Sequence, residues 1–414
     1  MARSRAASSR VGSYAMKARG AIVAGVDACL RRSVAACRRL DPRAAKKLEA
    51  LSAWIRRTEA RRLATAGAAA LLVVGAVSAS LHDYWRAAFS SQPPLAGETR
   101  RAVRAKADQL ARAIEARFIA GDHIDGDAWT SAQILVALKE NNSGYRSPAS
   151  ARSIARHFRS IAGPECTCWR KLPAGNFPSH LGVTSWTLWG LACYGISAQR
   201  NEIEFLLSIQ GPEGGWPLYA GAEPKQFASS YATAAAILAL HEHRGREKDS
   251  ARRERIAAAV TRGAEWLKSR AIASRARWAD YPDSPEQKRE YLGLSGFVLF
   301  ALHRTGTPGL SDLDRSWMSE LPDEVPALHA DEASGRKVWV GTRSYPDDTL
   351  YRALPWAIVA TVNAYPNASI RGKVRAARWL ESALEPGAPV HALVGSEPDA
   401  ALLAEALFAL RSET

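Results

Sequence analysis

Tyr345-Pro346-Asp347-Asp348-Thr349 places two adjacent carboxyl groups beside a hydroxyl, just ahead of an apolar helical stretch. A carboxylic acid that is to protonate an apolar substrate must stay protonated. It needs a dry, apolar site and a neighbour that orients its proton. The same residues also suit the first turn of a helix, where carboxylates cap free N–H groups and meet the positive end of the dipole. A second acidic group, Asp122, Asp125 and Asp127 with His123, stands in GDHIDGDAW. It could hold a cation such as Mg2+, alone or bound to diphosphate, or it could cap the helix that follows. It lacks the length and closing glutamate of a calcium loop. Asp127 and Asp347 together would offer a carboxylate pair of the kind that hydrolyses or cleaves glycans.

Thiols and imidazoles are sparse. Cys166 and Cys168 lie in ECTCW, and Cys193 follows an apolar run. His241 and His243 stand two apart, so they do not share a helix face. No metal site is assigned, and a zinc site is disfavoured. In an extracytoplasmic setting one disulfide among Cys166, Cys168 and Cys193 is the better use of these residues. There is no phosphate-cradling glycine loop, G-x-S-x-G elbow or H-E-x-x-H, which removes kinase, α/β-hydrolase and zincin chemistry.

The chain of 414 residues has a net charge of +15, and that charge is concentrated at one end. Residues 1–63 hold 16 Lys and Arg against 4 Asp and Glu, and the rest is nearly balanced. Directly after Arg61 and Arg62 comes LATAGAAALLVVGAVSASL, residues 63–81, without a charge. As a helix this stretch is about 28 Å long, close to a bilayer core. Tyr84 and Trp85 follow as interfacial aromatics, and the basic flank precedes it, so the positive-inside rule places the N-terminus in the cytoplasm. The expected organisation is a basic cytoplasmic extension (1–62), a single transmembrane helix acting as a signal-anchor (63–81), a Pro/Ser linker (82–98) and an extracytoplasmic domain (99–414). An Ala-rich buried helix is the alternative for 63–81. Nucleic acid is not an expected partner.

After residue 99 the pattern is helical, and the helices come in pairs. One member is charged and amphipathic: 99–119, 150–162, 198–209, 250–272, 309–320 and 369–384. The other is apolar: 127–140, 184–196, 229–243, 290–304, 348–365 and 397–411. Lys337–Val340 is the one stretch that hints at a strand. An aromatic recurs near the start of the apolar members, at Trp129, Trp186, Tyr231, Tyr291 and Tyr351. Charged helices alternating with apolar ones suit an outer layer around an inner one. The expected fold class is all-α, an (α/α)6 toroid of six outer/inner helix pairs.

Phe205–Trp216 reads FLLSIQGPEGGW, in which Gln210, Gly214 and Trp216 resemble the Q-x-x-x-G-x-W repeat of squalene and hopene cyclases. The SSYATAAAILAL that follows is similar to the inner helix after such a repeat in terpenoid cyclases and protein prenyltransferases. The resemblance implies an α/α-toroid of that superfamily. Class II cyclases of this kind carry D-x-D-D-T with the middle aspartate as proton donor. Asp347 holds the middle place here, Asp348 and Thr349 follow, and Tyr345 replaces the first aspartate. The resemblance implies a central cavity lined by Trp129, Trp186, Trp189, Tyr231, Tyr291, Tyr351 and Trp356, holding an apolar or isoprenoid-like ligand, with Asp347, Asp348 and Asp127 as candidate catalytic groups. Two other readings fit the same fold. One is a scaffold that binds a protein partner without catalysis, and the other is a carbohydrate-active (α/α)6 enzyme.

Overall fold

The computed structural model describes residues 46–47, 49–50, 53, 90–119, 128–140, 179–220, 227–285, 289–322, 325, 327–330, 337–340, 353–393, 406 and 409–410. The chain divides into two compact units, Met1–Trp85 and Arg86–Thr414. The 63–81 stretch lies outside the described residues. Among the described residues no helix is long and apolar enough to cross a membrane.

The second unit is all-α in class. Its helices are α1 (Gly97–Ile119), α2 (Ala128–Glu140), α3 (Leu181–Cys193), α4 (Arg200–Ser208), α5 (Ser230–Arg244), α6 (Ser250–Ser269), α7 (Leu292–Arg304), α8 (Ser311–Ser319), α9 (Ala353–Ala364) and α10 (Ile370–Leu384). Three short antiparallel ladders accompany them: β1 (Ser179–His180) with β3 (Tyr219–Ala220), β2 (Trp216–Pro217) with β4 (Ala228–Ser229), and β5 (Ala327–Ala330) with β6 (Lys337–Val340). The expected amphipathic stretch 150–162 lies outside the described residues, as does most of 397–411.

Two kinds of helix follow from two kinds of sequence. In α3 every residue from Leu181 to Ala192 is buried, and in α7 every residue from Leu292 to Leu302. Helices apolar on all sides must be surrounded. In α1 the buried Val103, Ala107, Leu110, Ala111 and Ile114 keep to one face at helical spacing. In α10 the buried face is Gly372, Ala376, Trp379, Leu380, Ala383 and Leu384. Capping fixes the starts. Ser229 and Ser369 accept from the N–H of Ala232 and Gly372 at 3.0 and 3.2 Å. Asp249 does the same for Arg252 at 3.2 Å. The apolar segment expected at 184–196 runs three residues earlier. Leu181, Gly182 and Val183 are apolar enough to continue the buried helix, and the bond from Ile196 N–H to Leu191 O, 2.9 Å, closes it.

The apolar helices pack in chain order, α2 on α3, α3 on α5, α5 on α7 and α7 on α9. The amphipathic ones lie against them: α6 on α5, α8 on α9, and α1 on α2. The first amphipathic helix also meets the last, since α1 packs on α10. Glu381 of α10 makes that seam. Its carboxylate accepts from the backbone N–H of Ala96 at 3.1 Å and from the Thr99 hydroxyl. Lys373 donates to the Ser90 carbonyl at 3.0 Å.

The α7–α9 contact depends on a glycine. A Cβ on Gly296 would stand 2.5 Å from the Trp356 carbonyl oxygen and 2.6 Å from its carbon. These are backbone atoms and cannot swing away. Gly296→Ala is therefore expected to cost on the order of 1–3 kcal/mol in urea unfolding. An unchanged midpoint would show that the two helices separate freely.

Candidate functional site

The Gln210-Gly214-Trp216 motif ties one helix pair to the next. Gln210 Nε2 donates to its own turn at Gly214 O, 2.8 Å, and across to Ala259 O on α6, 2.9 Å. Its Oε1 accepts from Arg262. Trp216 is fully buried. Its indole N–H caps the Leu206 carbonyl near the end of α4 at 2.8 Å, and its backbone N–H donates to Thr233 on α5 at 2.9 Å. Trp278 repeats this arrangement without the glutamine. Its indole N–H reaches Leu267 O at 2.7 Å, and its backbone N–H reaches Ser295 on α7 at 3.0 Å. The partner lies 17 residues on in both cases, so the repeat is one of hydrogen bonds as well as of residue types.

Four of the aromatics expected to line a cavity, Trp186, Trp189, Tyr231 and Trp356, lie in one connected group with Phe297 and Phe300. The Trp186 ring centroid lies 4.7 Å from Trp189, 5.7 Å from Phe297 and 6.4 Å from Trp356. Phe297 and Trp356 meet edge to face at 4.8 Å, and Phe300 adds contacts to Trp189 and Trp356. Tyr231 joins through Phe297 at 5.3 Å, and its hydroxyl accepts from Trp186 Nε1 at 2.8 Å. Trp186, Trp189, Phe297 and Trp356 are each at most 4% exposed. Four apolar helices thus converge on a shared aromatic stack. Tyr291 stands apart from it, half-buried at the start of α7 with the Arg289 guanidinium 5.6 Å from its ring. Trp129 belongs to α2. Tyr351 lies outside the described residues. Asp347 and Asp348 do too, as do Asp122, Asp125 and Asp127.

Phe297 and Phe300 fall outside the expected set, because the recurring aromatics stand at helix starts and these two sit mid-helix. Their spacing of three on an apolar run was the available signal.

At the C-terminal ends of α2, α3, α5 and α7 is a cavity of about 320 Å³, lined by Lys139, Glu140, Ala192, Cys193, Glu242, Arg246 and Arg304. Arg304 joins three helices there. It pairs with Glu140 of α2 at 2.9 Å and with Glu242 of α5 at 3.0 Å. Because α2, α3, α5 and α7 all finish at this cavity, they run parallel. Cys193 carries a free thiol. Burial pushes its pKa well above the ordinary range, and Glu140 and Glu242 push it further. At neutral pH it is a protonated thiol, not a nucleophile. Cys166 and Cys168 lie outside the described residues. Among the described residues no group of three or more His, Cys, Asp or Glu could hold a metal.

A half-buried histidine, His241, and a buried one, His391, give the fold a pH dependence. Burial lowers the pKa of His241, and it lowers that of His391, whose Nε2 meets Leu384 O at 2.8 Å. The folded state therefore favours the neutral ring at both. Below pH of about 6.5 the unfolded chain binds protons that the folded chain refuses, so stability falls as the pH drops. Urea midpoints should therefore be lower at pH 5 than at pH 7.5. His391→Gln should flatten the slope, and a slope that steepens instead would reverse the assignment.

The positions with chemical potential thus divide between an aromatic stack, a charged cavity and acidic segments outside the described residues. No protein-family model matches this sequence, and no curated protein matches it.

Proposed function

We propose that the helical unit is a closed α/α toroid, held at a membrane by residues 63–81, that works as a scaffold binding a protein partner. The observation that carries this reading is the aromatic stack. An isoprenoid-type ligand needs an open, aromatic-walled space of several hundred cubic ångströms. Trp186, Trp189, Phe297 and Trp356 stack on one another where the four apolar helices converge, which favours a packed centre. The packing of α1 on α10 supports ring closure.

The connections support a partner role at one end. Among the described residues, those leaving α3, α5, α7 and α9 are short turns, such as Thr305–Leu310 between α7 and α8. Those entering them are long, such as Ile209–Ser229 before α5 and Arg270–Tyr291 before α7. Asp347 and Asp348 precede α9 in the sequence and lie outside the described residues. Long loops on a rigid helical frame are the usual place for recognition.

The test is chemical cross-linking of the full chain in its native membrane, with mass spectrometry of both the cross-linked proteins and the organic extract. The expected result is a stoichiometric protein partner, lost when Asp347 and Asp348 are both changed to Asn. An apolar small molecule that co-purifies at one equivalent, and is lost in Trp356→Ala, would replace the scaffold with the ligand-binding reading.

A further inference from the structure

We infer that the cavity at the C-terminal ends of α2, α3, α5 and α7 binds a small soluble phosphomonoester, with its phosphate held between Lys139 and Arg246. The site belongs to the helical frame itself and is independent of what the entering loops recognise.

The argument begins with the charges that line the cavity: Lys139, Glu140, Glu242, Arg246 and Arg304. Three of them satisfy one another, since Arg304 holds Glu140 at 2.9 Å and Glu242 at 3.0 Å. Lys139 and Arg246 are left over. Both are exposed, and among the described residues neither side chain meets a carboxylate or donates to a carbonyl. The dipoles of parallel helices draw cations to this end. The carbonyls that a capping cation would seek already have donors, however. The last turn of α3 is closed by Gly195 N–H to Ala192 O, 3.0 Å, and by Ile196 N–H to Leu191 O, 2.9 Å. That of α7 is closed by Thr305 N–H to Ala301 O and by Thr307 N–H to Leu302 O, both 3.0 Å.

The placement of the two cations suits one anion. α3 packs on both α2 and α5, so Lys139 near the end of α2 and Arg246 just beyond α5 approach the end of α3 from different sides. Arg246 reaches over the turn that closes α3, where its Nη1 stands 3.5 Å from the place a Cβ of Gly195 would take. The uncharged part of the lining is Ala192 and Cys193. Cys193 is a protonated thiol and brings no charge to repel an anion.

Two unpaired positive charges call for a dianion. A carboxylate brings one negative charge, whereas a phosphomonoester brings about −1.5 to −2 at pH 7 and three acceptor oxygens. A guanidinium fork takes two such oxygens at once, and an ammonium adds a point charge beside them. The cavity volume of about 320 Å³ lies within the range of about 300–1,000 Å³ for small-molecule sites, so it has room for an organic body as well as the phosphate. Glu242 is engaged by Arg304 through Oε1, and a carboxylate accepts up to about four hydrogen bonds, so it can still take a hydroxyl of that body.

The test is isothermal titration calorimetry of the purified full chain with glycerol 3-phosphate, in a buffer free of phosphate. The expected result is saturable one-to-one binding that glycerol does not give. Lys139→Gln and Arg246→Gln should each weaken it by about tenfold or more. Lys139→Arg, which keeps the charge, should retain it. Arg253→Gln removes an exposed arginine of α6 outside the cavity and should bind like the parent. Both cavity cations are exposed, and unchanged melting curves verify that the variants fold. Acetate should bind about tenfold more weakly than the phosphomonoester or worse. No saturable binding at millimolar glycerol 3-phosphate would overturn the site. So would unchanged affinity in Lys139→Gln and Arg246→Gln, equal affinity for acetate, or binding confined to phosphatidic acid in mixed micelles.

Discussion

Trp216→Ala should destabilise the helical unit by about 3–5 kcal/mol. Three losses coincide at this residue. A fully buried indole is removed from the space between α4, α5 and α6, where even a methyl group on Gly263 would stand 2.7 Å from the ring. The cavity left behind cannot collapse easily, since helices on three sides hold it open. The Leu206 carbonyl also loses its cap, although water can reach a frayed helix end. In a domain of this size the change corresponds to a fall in melting temperature of about 4–7 °C, measurable by calorimetry or circular dichroism. Trp278→Ala should behave alike, because its hydrogen bonds repeat those of Trp216. A loss below about 1 kcal/mol in both would mean that neighbouring helix pairs do not rely on the tryptophan wedge.

Gly214→Ala should cost about 3 kcal/mol, from two independent sources. The residue sits at φ +107°, where a side chain is strained. Its Cβ would also stand 2.5 Å from the Arg262 carbonyl oxygen on α6. Relief requires the turn to lift off α6, and that breaks the bond from Gln210 to Ala259 O. The two effects can be separated. Gln210→Ala removes this bond together with those to Gly214 O and Arg262, without touching the glycine backbone, and should cost about 1–2 kcal/mol. In the double variant the losses should be less than additive, because the lifted turn has already given up the glutamine bond. Full additivity would show that Gly214 and Gln210 act on different parts of the structure.

The two kinds of helix were readable because burial on one side and burial on all sides leave different patterns. The run LGLSGFVLFAL in α7 has no polar stripe, whereas ETRRAVRAKADQLARAI in α1 has a clear one. The Trp216 motif was readable because its glycine and tryptophan are demanded by one local turn. The aromatic stack was only partly foreseen. Trp186 and Trp356 stood out as residues able to line a space, but a list of aromatics does not say whether they face a void or each other. That depends on the approach of α7 to α9, which Gly296 permits at backbone contact distance. The Arg304 cluster was not foreseen at all. A cation in the last turn of a helix reads as dipole compensation, and nothing near it points to Glu140, 164 residues earlier. The seam between Ala96 and Glu381 is hidden for the same reason, at a separation of 285 residues.

That separation sets an order on folding. Contacts between successive helices are local and can form as the chain appears, one pair templating the next. The seam is different, because neither partner can find the other until Glu381 has been made. At about 5–20 residues per second, α1 must wait roughly 15–60 s after its own synthesis. Throughout that interval α1, with its apolar Val103, Leu110 and Ile114, has α2 to pack on but lacks α10. A ribosome-bound chain stopped short of residue 381 should therefore present α1 to proteases and holdase chaperones, and one stopped well beyond it should not.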